Sequence, residues 1–210
     1  MSRDTARAAT QFFGGRVCLD FANTMDWRTS DAPQELIPDY AALLSWSKAR
    51  RTLAAAGIAK LHMRGAQKPA AAAAVMQEAH ALRSEIWKAA EALRREDHVR
   101  LEALNRSLAA VPAQPRLMRD GAGYVHDLPG AALAEVLWPV LWSLTALLAS
   151  DDAGRLGCCQ AQGCGWFFVD ESPNHSRLWC SSEVCGNRER ARRAYAKRRP
   201  KAVRRMAKPA

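Results

Sequence analysis

Apolar residues recur at helical spacing through most of the first 150 positions. The clearest run opens at Pro69, whose fixed φ suits a first helical position, and continues to about Arg95. Val75, Ala79, Leu82, Ile86, Ala90 and Leu93 fall three or four apart on one face. Five alanines at 70–74 support it, since alanine is the best helix former. Asp39 is placed to N-cap a helix over 40–56, with Gly57 past its end. Asp97 is placed to cap another, with Leu101, Leu104 and Leu108 on one face. Leu133, Val136, Leu137, Val140, Leu141, Leu144 and Leu148 mark a helix reaching Ser150, and Trp138 and Trp142 make its other side apolar, which predicts a central place. Two short runs flank Asp120-Gly121-Ala122-Gly123, the signal of a β-hairpin. Residues 1–15 read as a loose tail, and 14–31 fits a strand or a helix equally.

The pattern changes after "SDDAG" at 150–154, which divides a helical domain at 1–150 from a segment at 151–210 too short for a large core. The class is therefore mainly α, with a small hairpin in the first domain and a small module after it. The most apolar stretch, 136–150, is shorter than the roughly 20 residues of a membrane span and contains Pro139. No apolar leader opens the chain, so a soluble, cytoplasmic protein is expected.

Charge separates the two parts further. The chain has 31 Lys/Arg and 21 Asp/Glu, a net charge of +10. Residues 186–210 hold 11 of the bases and one acid, Glu189, whereas 1–185 hold 20 of each sign. Eleven like charges call for an external counter-charge, and nucleic acid is the partner that supplies it. The bland alternative is a solvated helix end.

Five of the six cysteines lie at 158–185, just before that basic run. Cys159, Cys164, Cys180 and Cys185 form C-x4-C-x15-C-x4-C, two close thiolate pairs across a loop, which suits tetrahedral Zn2+. Cys158 is left as a spare, His175 as a loop histidine and Cys18 as a buried small side chain. Gly163 and Gly165 allow a tight turn about Cys164, and Trp166, Phe167, Phe168 and Trp179 are available to pack around a metal that replaces a core. Ser181 or Ser182 is placed to start a helix whose first turn holds Cys185. That helix carries Asn187, Arg188, Arg190, Arg192, Arg193, Lys197, Arg198 and Arg199, the candidate nucleic-acid contacts. Gly186 costs about 1 kcal/mol in a helix relative to alanine, so a close approach to sulfur or to a phosphate is expected there. Asn187 and Arg188 suit either adenine and guanine edges or bracing of the zinc loop, and both readings stay open.

"CGWFFVDESPNHSRLWCSSEVCGNRERARRAYAKRR" resembles the CGNR zinc finger, through Cys185-Gly186-Asn187-Arg188. "FFGGRVCLDFANTMDWR" at 12–28 resembles the opening of the ABATE domain, which usually precedes that finger. The resemblance implies a mostly helical domain that senses a ligand, a DNA-binding finger with Cys159, Cys164, Cys180 and Cys185 as ligands, and a stress-related transcriptional regulator. In the N-terminal motif, Arg16, Asp20, Asn23, Thr24 and Arg28 either line a pocket for a small ligand or serve as structural caps and ion pairs. No HExxH, phosphate loop or GxSxG elbow is present, and His62, His80, His98 and His126 are scattered, so no catalytic residue is assigned and an enzyme is not expected. The leading expectation is a zinc-dependent regulator that binds duplex DNA, as a homodimer because one short helix reads few bases. An RNA- or ribosome-associated zinc protein is the alternative, and an enzyme with a localising tail is a weaker one.

Overall fold

A computed structural model describes residues 11–111, 116–121, 123–128 and 131–198. Segment 14–31 contains both of the alternatives left open. Helix α1 (Val17–Ala22) is followed by β1 (Met25–Asp26), which pairs antiparallel with β2 (Gln34–Glu35). Six residues are too few for a helix to hold itself; α1 persists because Cys18, Leu19, Asp20, Phe21 and Ala22 are all buried. Nor are residues 12 and 13 part of a loose tail. Phe12 packs on the helical core and Phe13 against Trp166, with ring centroids 6.3 Å apart.

Helix α2 (Tyr40–Arg50) is capped as expected, Asp39 accepting the Ala42 N–H at 2.8 Å. It stops short of residue 56 because Arg51 turns left-handed (φ 56°) and the Thr52 and Ser47 hydroxyls meet at 2.6 Å. A further helix, α3 (Ala55–Gln67), begins there, and Gly57 lies inside it. Its buried residues are Ile58, Leu61 and Gly65, three and four apart. Helix α4 (Pro69–Arg94) matches the long expected run. Helix α5 (Glu102–Ala109) is not capped by Asp97, whose carboxylate instead accepts the His98 N–H at 2.7 Å. Of its expected face, Leu104 is buried and Leu101 is exposed.

Strands β3 (Arg116–Asp120) and β4 (Gly123–Asp127) form the expected hairpin. A 3-10 turn at Leu133–Leu137 then runs into α6 (Trp138–Leu148). Pro139 has no N–H for the α pattern, so the chain winds tighter before it. Val140, Leu141, Leu144 and Leu147 of α6 are buried between its neighbours, the central place its two-sided pattern predicts. No described helix is long and apolar enough to cross a membrane.

Beyond α6 a 3-10 turn at Asp151–Arg155 leads into β5 (Leu156–Cys158), paired antiparallel with β6 (Phe167–Val169). A π turn at Ser182–Gly186 leads into α7 (Asn187–Arg198). Two apolar cores result. The larger joins α1 to α6; the smaller gathers Leu36, Ala161, Trp166 and Phe168 around four cysteines. Strand β6 serves both, because alternate side chains point to opposite faces. Phe168 faces the cysteines, whereas Phe167 and Val169 face the helical core. Phe167 is thus corrected from the zinc side to the helical side.

Candidate metal centre

Cys159, Cys164, Cys180 and Cys185 are all buried, and their sulfurs lie within 4.8 Å of one another. Cys164 Sγ is 3.8 Å from Cys180 Sγ, Cys180 Sγ is 3.4 Å from Cys185 Sγ, and Cys185 Sγ is 3.7 Å from Cys164 Sγ. Four sulfurs at about 2.3 Å from a tetrahedral Zn2+ stand about 3.8 Å apart, so the donor set fits that ion. It does not fit disulfides, whose sulfurs are about 2.05 Å apart, and all six cysteines are free thiols. Crowding divides the four thiols. Cys159 is held far below the usual range, first by a hydrogen bond with Cys164, and Cys180 is pushed far above it, first by its hydrogen bond with Cys159. A divalent cation removes this conflict, because all four can then be thiolates together.

The turn that presents Cys164 has two reasons for its glycines. Gly163 and Gly165 take φ of 79° and 67°, where a side chain is strained. They also let another segment approach. A Cβ on Gly163 would stand 2.9 Å from Trp27 Cε3, and one on Gly165 would stand 2.4 Å from Thr29 Cγ2. The Arg28 and Thr29 N–H groups donate to the Cys164 and Gly163 carbonyls at 3.1 and 3.2 Å. The second cysteine pair is held by Arg177. Its guanidinium lies 4.2 Å over the Phe168 ring and donates to the carbonyls of Phe13, Val169, Trp179 and Cys180.

Residues 155–198 match the family of the CGNR zinc finger, and residues 15–151 match ABATE, described as "Putative stress-induced transcription regulator". This chain belongs to the ABATE family. No curated protein matches it. Zn2+ is the cofactor of its CGNR finger, and the four clustered cysteines are placed to hold it.

In the tetrapeptide that names the finger, Gly186 is buried, but its close neighbour is neither sulfur nor an open phosphate site. A Cβ there would meet Trp179 Cε3 at 3.2 Å. The Asn187 amide oxygen accepts from Arg190 at 2.6 Å, and Arg190 also donates to the Ser182 carbonyl at 3.0 Å. Arg188 donates to Cys185 Sγ at 3.4 Å and lies 4.2 Å over the Trp27 ring. Ser181 is the cap that starts the segment, its hydroxyl accepting the Val184 N–H at 3.2 Å. Glu189, the single acid of the basic run, is buried. It accepts from the Gln162 N–H at 3.1 Å and from Arg192 at 2.9 and 3.0 Å, and Arg192 holds its carboxyl below the usual range. Cys185, Arg188, Glu189 and Arg192 thus root the helix on the finger. Arg190, Arg193 and Lys197, spaced three and four apart, share one face of the helix. All residues from Ala191 to Lys197 are exposed, and among the described residues Arg193 and Lys197 engage no partner. Arg198 closes α7, and Arg199 lies outside the described residues.

The five polar residues of the ABATE motif are all engaged by the protein itself. Arg16 pairs with Asp152 and, at 3.1 Å, with Glu171. Asp20 accepts from the Gly14 N–H at 2.8 Å and from Arg50 at 2.7 Å. The Asn23 amide makes both bonds to the Phe167 backbone, at 2.8 and 2.9 Å. Thr24 donates to the Phe21 carbonyl and accepts from Arg83. Arg28 donates to the Gly165 carbonyl and to Glu91, both at 3.0 Å, with Phe167 4.6 Å below its guanidinium. Arg16, Asn23 and Arg28 therefore tie the ABATE region to the finger, and Asp20 and Thr24 brace it internally. Sequence reasoning missed Trp27, Arg177 and Glu189. Only Glu189 had a legible signal, as the lone acid among 11 bases.

Proposed function

We propose that the protein is a zinc-dependent transcriptional regulator that binds duplex DNA through α7 and the basic residues that follow it. The carrying observation is the outward face of α7, where Arg193 and Lys197 stand exposed and unengaged on a helix rooted at the metal centre. The metal sets the first turn, and the later turns present positive charge at helical spacing, which suits rows of phosphates. Arg188 is assigned to bracing rather than base reading, because Cys185 and Trp27 already occupy its guanidinium. The helical part, residues 1–150, acts as the sensor and residues 151–210 as the binding module. A small ligand is assigned to the groove of about 570 Å³ between α4, α5 and α6, lined by Leu82, Glu85, Arg106, Trp138 and Leu141. The motif residues Arg16 to Arg28 are already bonded within the protein.

Selection of bound sequences from random duplex DNA, followed by a salt titration, tests this reading. Four to six phosphate contacts give a slope of log K against log salt of about −4 to −5. Arg193→Ala with Lys197→Ala flattens the slope and weakens all sequences alike. Arg188→Ala lowers zinc retention and binding together. Binding no stronger than that of a 1–185 truncation at low salt overturns the proposal.

A further inference from the structure

We propose that the outer edge of β3 is a self-pairing surface, and that two copies of this chain join there into one four-stranded antiparallel sheet. The argument starts from the hairpin register. Asp120 pairs with Gly123, leaving two residues in the turn, so this closing pair exchanges both of its backbone hydrogen bonds. Alternation then gives the same role to Met118–Val125 and Arg116–Asp127. The N–H and C=O groups of Leu117 and Arg119 consequently point away from β4. On the other strand the same rule turns Tyr124 and His126 outward, and His126 is where Leu53 forms its bridge. One edge of the hairpin is therefore covered by Leu53. Among the described residues, no strand pairs with the other edge.

That open edge is complementary to itself. An antiparallel two-fold axis through Met118 sets Leu117 of one copy opposite Arg119 of the other. These are the two residues whose backbone groups point outward, so four inter-chain hydrogen bonds close without any change of register. The same axis places Arg116 directly opposite Asp120 of the second copy, twice. Opposite charges facing each other across strands are stabilising, and like charges there are destabilising. No other described residue pairs with Arg116, and Asp120 has only the exposed Arg51, 3.8 Å away. The hairpin also exposes an apolar surface that a lone hairpin has no reason to show: Leu117 is 66% exposed, Tyr124 75% and Met118 39%. Leu117 and Arg119 lie on one face with Tyr124. Met118 meets its own copy on the other face, flanked by the two charge pairs. Charges on an edge strand usually discourage pairing; here their order, Arg-Leu-Met-Arg-Asp, selects one antiparallel register. The surface lies in the helical part and contributes no residue to the zinc core, so the inference stands apart from the proposed DNA binding.

Sedimentation of the full zinc-loaded chain, freed of nucleic acid, reads the association. Leu117→Pro removes an outward N–H without touching the hairpin ladder. It is expected to weaken association at least ten-fold with helical signal and zinc content unchanged. Arg116→Asp and Asp120→Arg each place like charges opposite and are expected to be monomeric alone. Mixed together they are expected to form a heterodimer, because the edge that is acidic at both positions in one variant then faces the edge that is basic at both in the other. Met118→Cys puts two thiols across a non-hydrogen-bonded pair, about 4.5 Å between Cα atoms, and is expected to cross-link under mild oxidation. A wild-type chain that stays monomeric, a mixture that sediments like its parents, or a Met118→Cys chain that cross-links no more than wild type overturns the proposal.

Discussion

The helical core and the zinc core are built on different principles, and they meet along one strand. In the first, some thirty buried side chains share the work, most of them from α1 to α6. In the second, eight buried residues form the core, and four of them are cysteines. Apolar burial supplies about 25 cal/mol per Å², so the first core has many small, separable contributions. The second has too few, and a metal worth about 10–16 kcal/mol in small zinc modules takes their place. One region should therefore fail gradually under substitution and the other all at once.

The largest expected effect is metal loss. Cys180→Ser, or chelation, is expected to strip zinc and unfold the cysteine loops and α7, while β6 stays on the helical core and α4 and α6 keep their far-ultraviolet helical signal. Cys158→Ser is expected to retain zinc, since its side chain packs on the helical core. Loss of most of the helical signal on chelation would break the comparison. A finer test uses adjacent residues of β6. Phe167→Ala is expected to cost about 3–5 kcal/mol of helical-core stability, read as a lower thermal midpoint at full zinc content. Phe168→Ala is expected to act on metal affinity. If both variants moved the same observable, the two cores would be one.

The seam gives a smaller effect. Asn23→Ala leaves the Phe167 N–H and C=O without their partner, at a cost of about 1–3 kcal/mol. Hydrogen exchange at the Phe167 amide is expected to accelerate with zinc content unchanged. The smallest effect is in acid, where the two regions diverge in sign. Burial raises the Asp20 carboxyl above its usual range, against the Gly14 N–H and Arg50. A raised folded-state pKa means that the folded state holds the proton more tightly. The corresponding stability is full below the unfolded-state pKa and is lost as pH rises through the folded value. Asp20→Asn is expected to flatten that part of the stability profile. The finger behaves oppositely, because protonation of its thiolates releases metal as pH falls.

Whatever depended on spacing along the chain was determined by the sequence itself. The four cysteines at 159, 164, 180 and 185, the turn glycines, a serine cap at 181 or 182, the long helix from Pro69 and the hairpin at 116–127 are all local patterns, set by helical period, strand alternation or ligand reach. The basic run was visible as charge alone. Tertiary structure decided which of those patterns was used twice and which polar residues were already committed. Asn23 meets Phe167 across 144 positions and Arg28 meets Gly165 across 137. Arg188 finds its aromatic partner in Trp27, and α2 ends early because Arg51 turns left-handed. None of these follows from periodicity, because a residue's own neighbours carry no record of a partner brought close only when the chain folds. For that reason the five polar residues of the N-terminal motif read as a ligand pocket or a brace until the finger was seen lying against them.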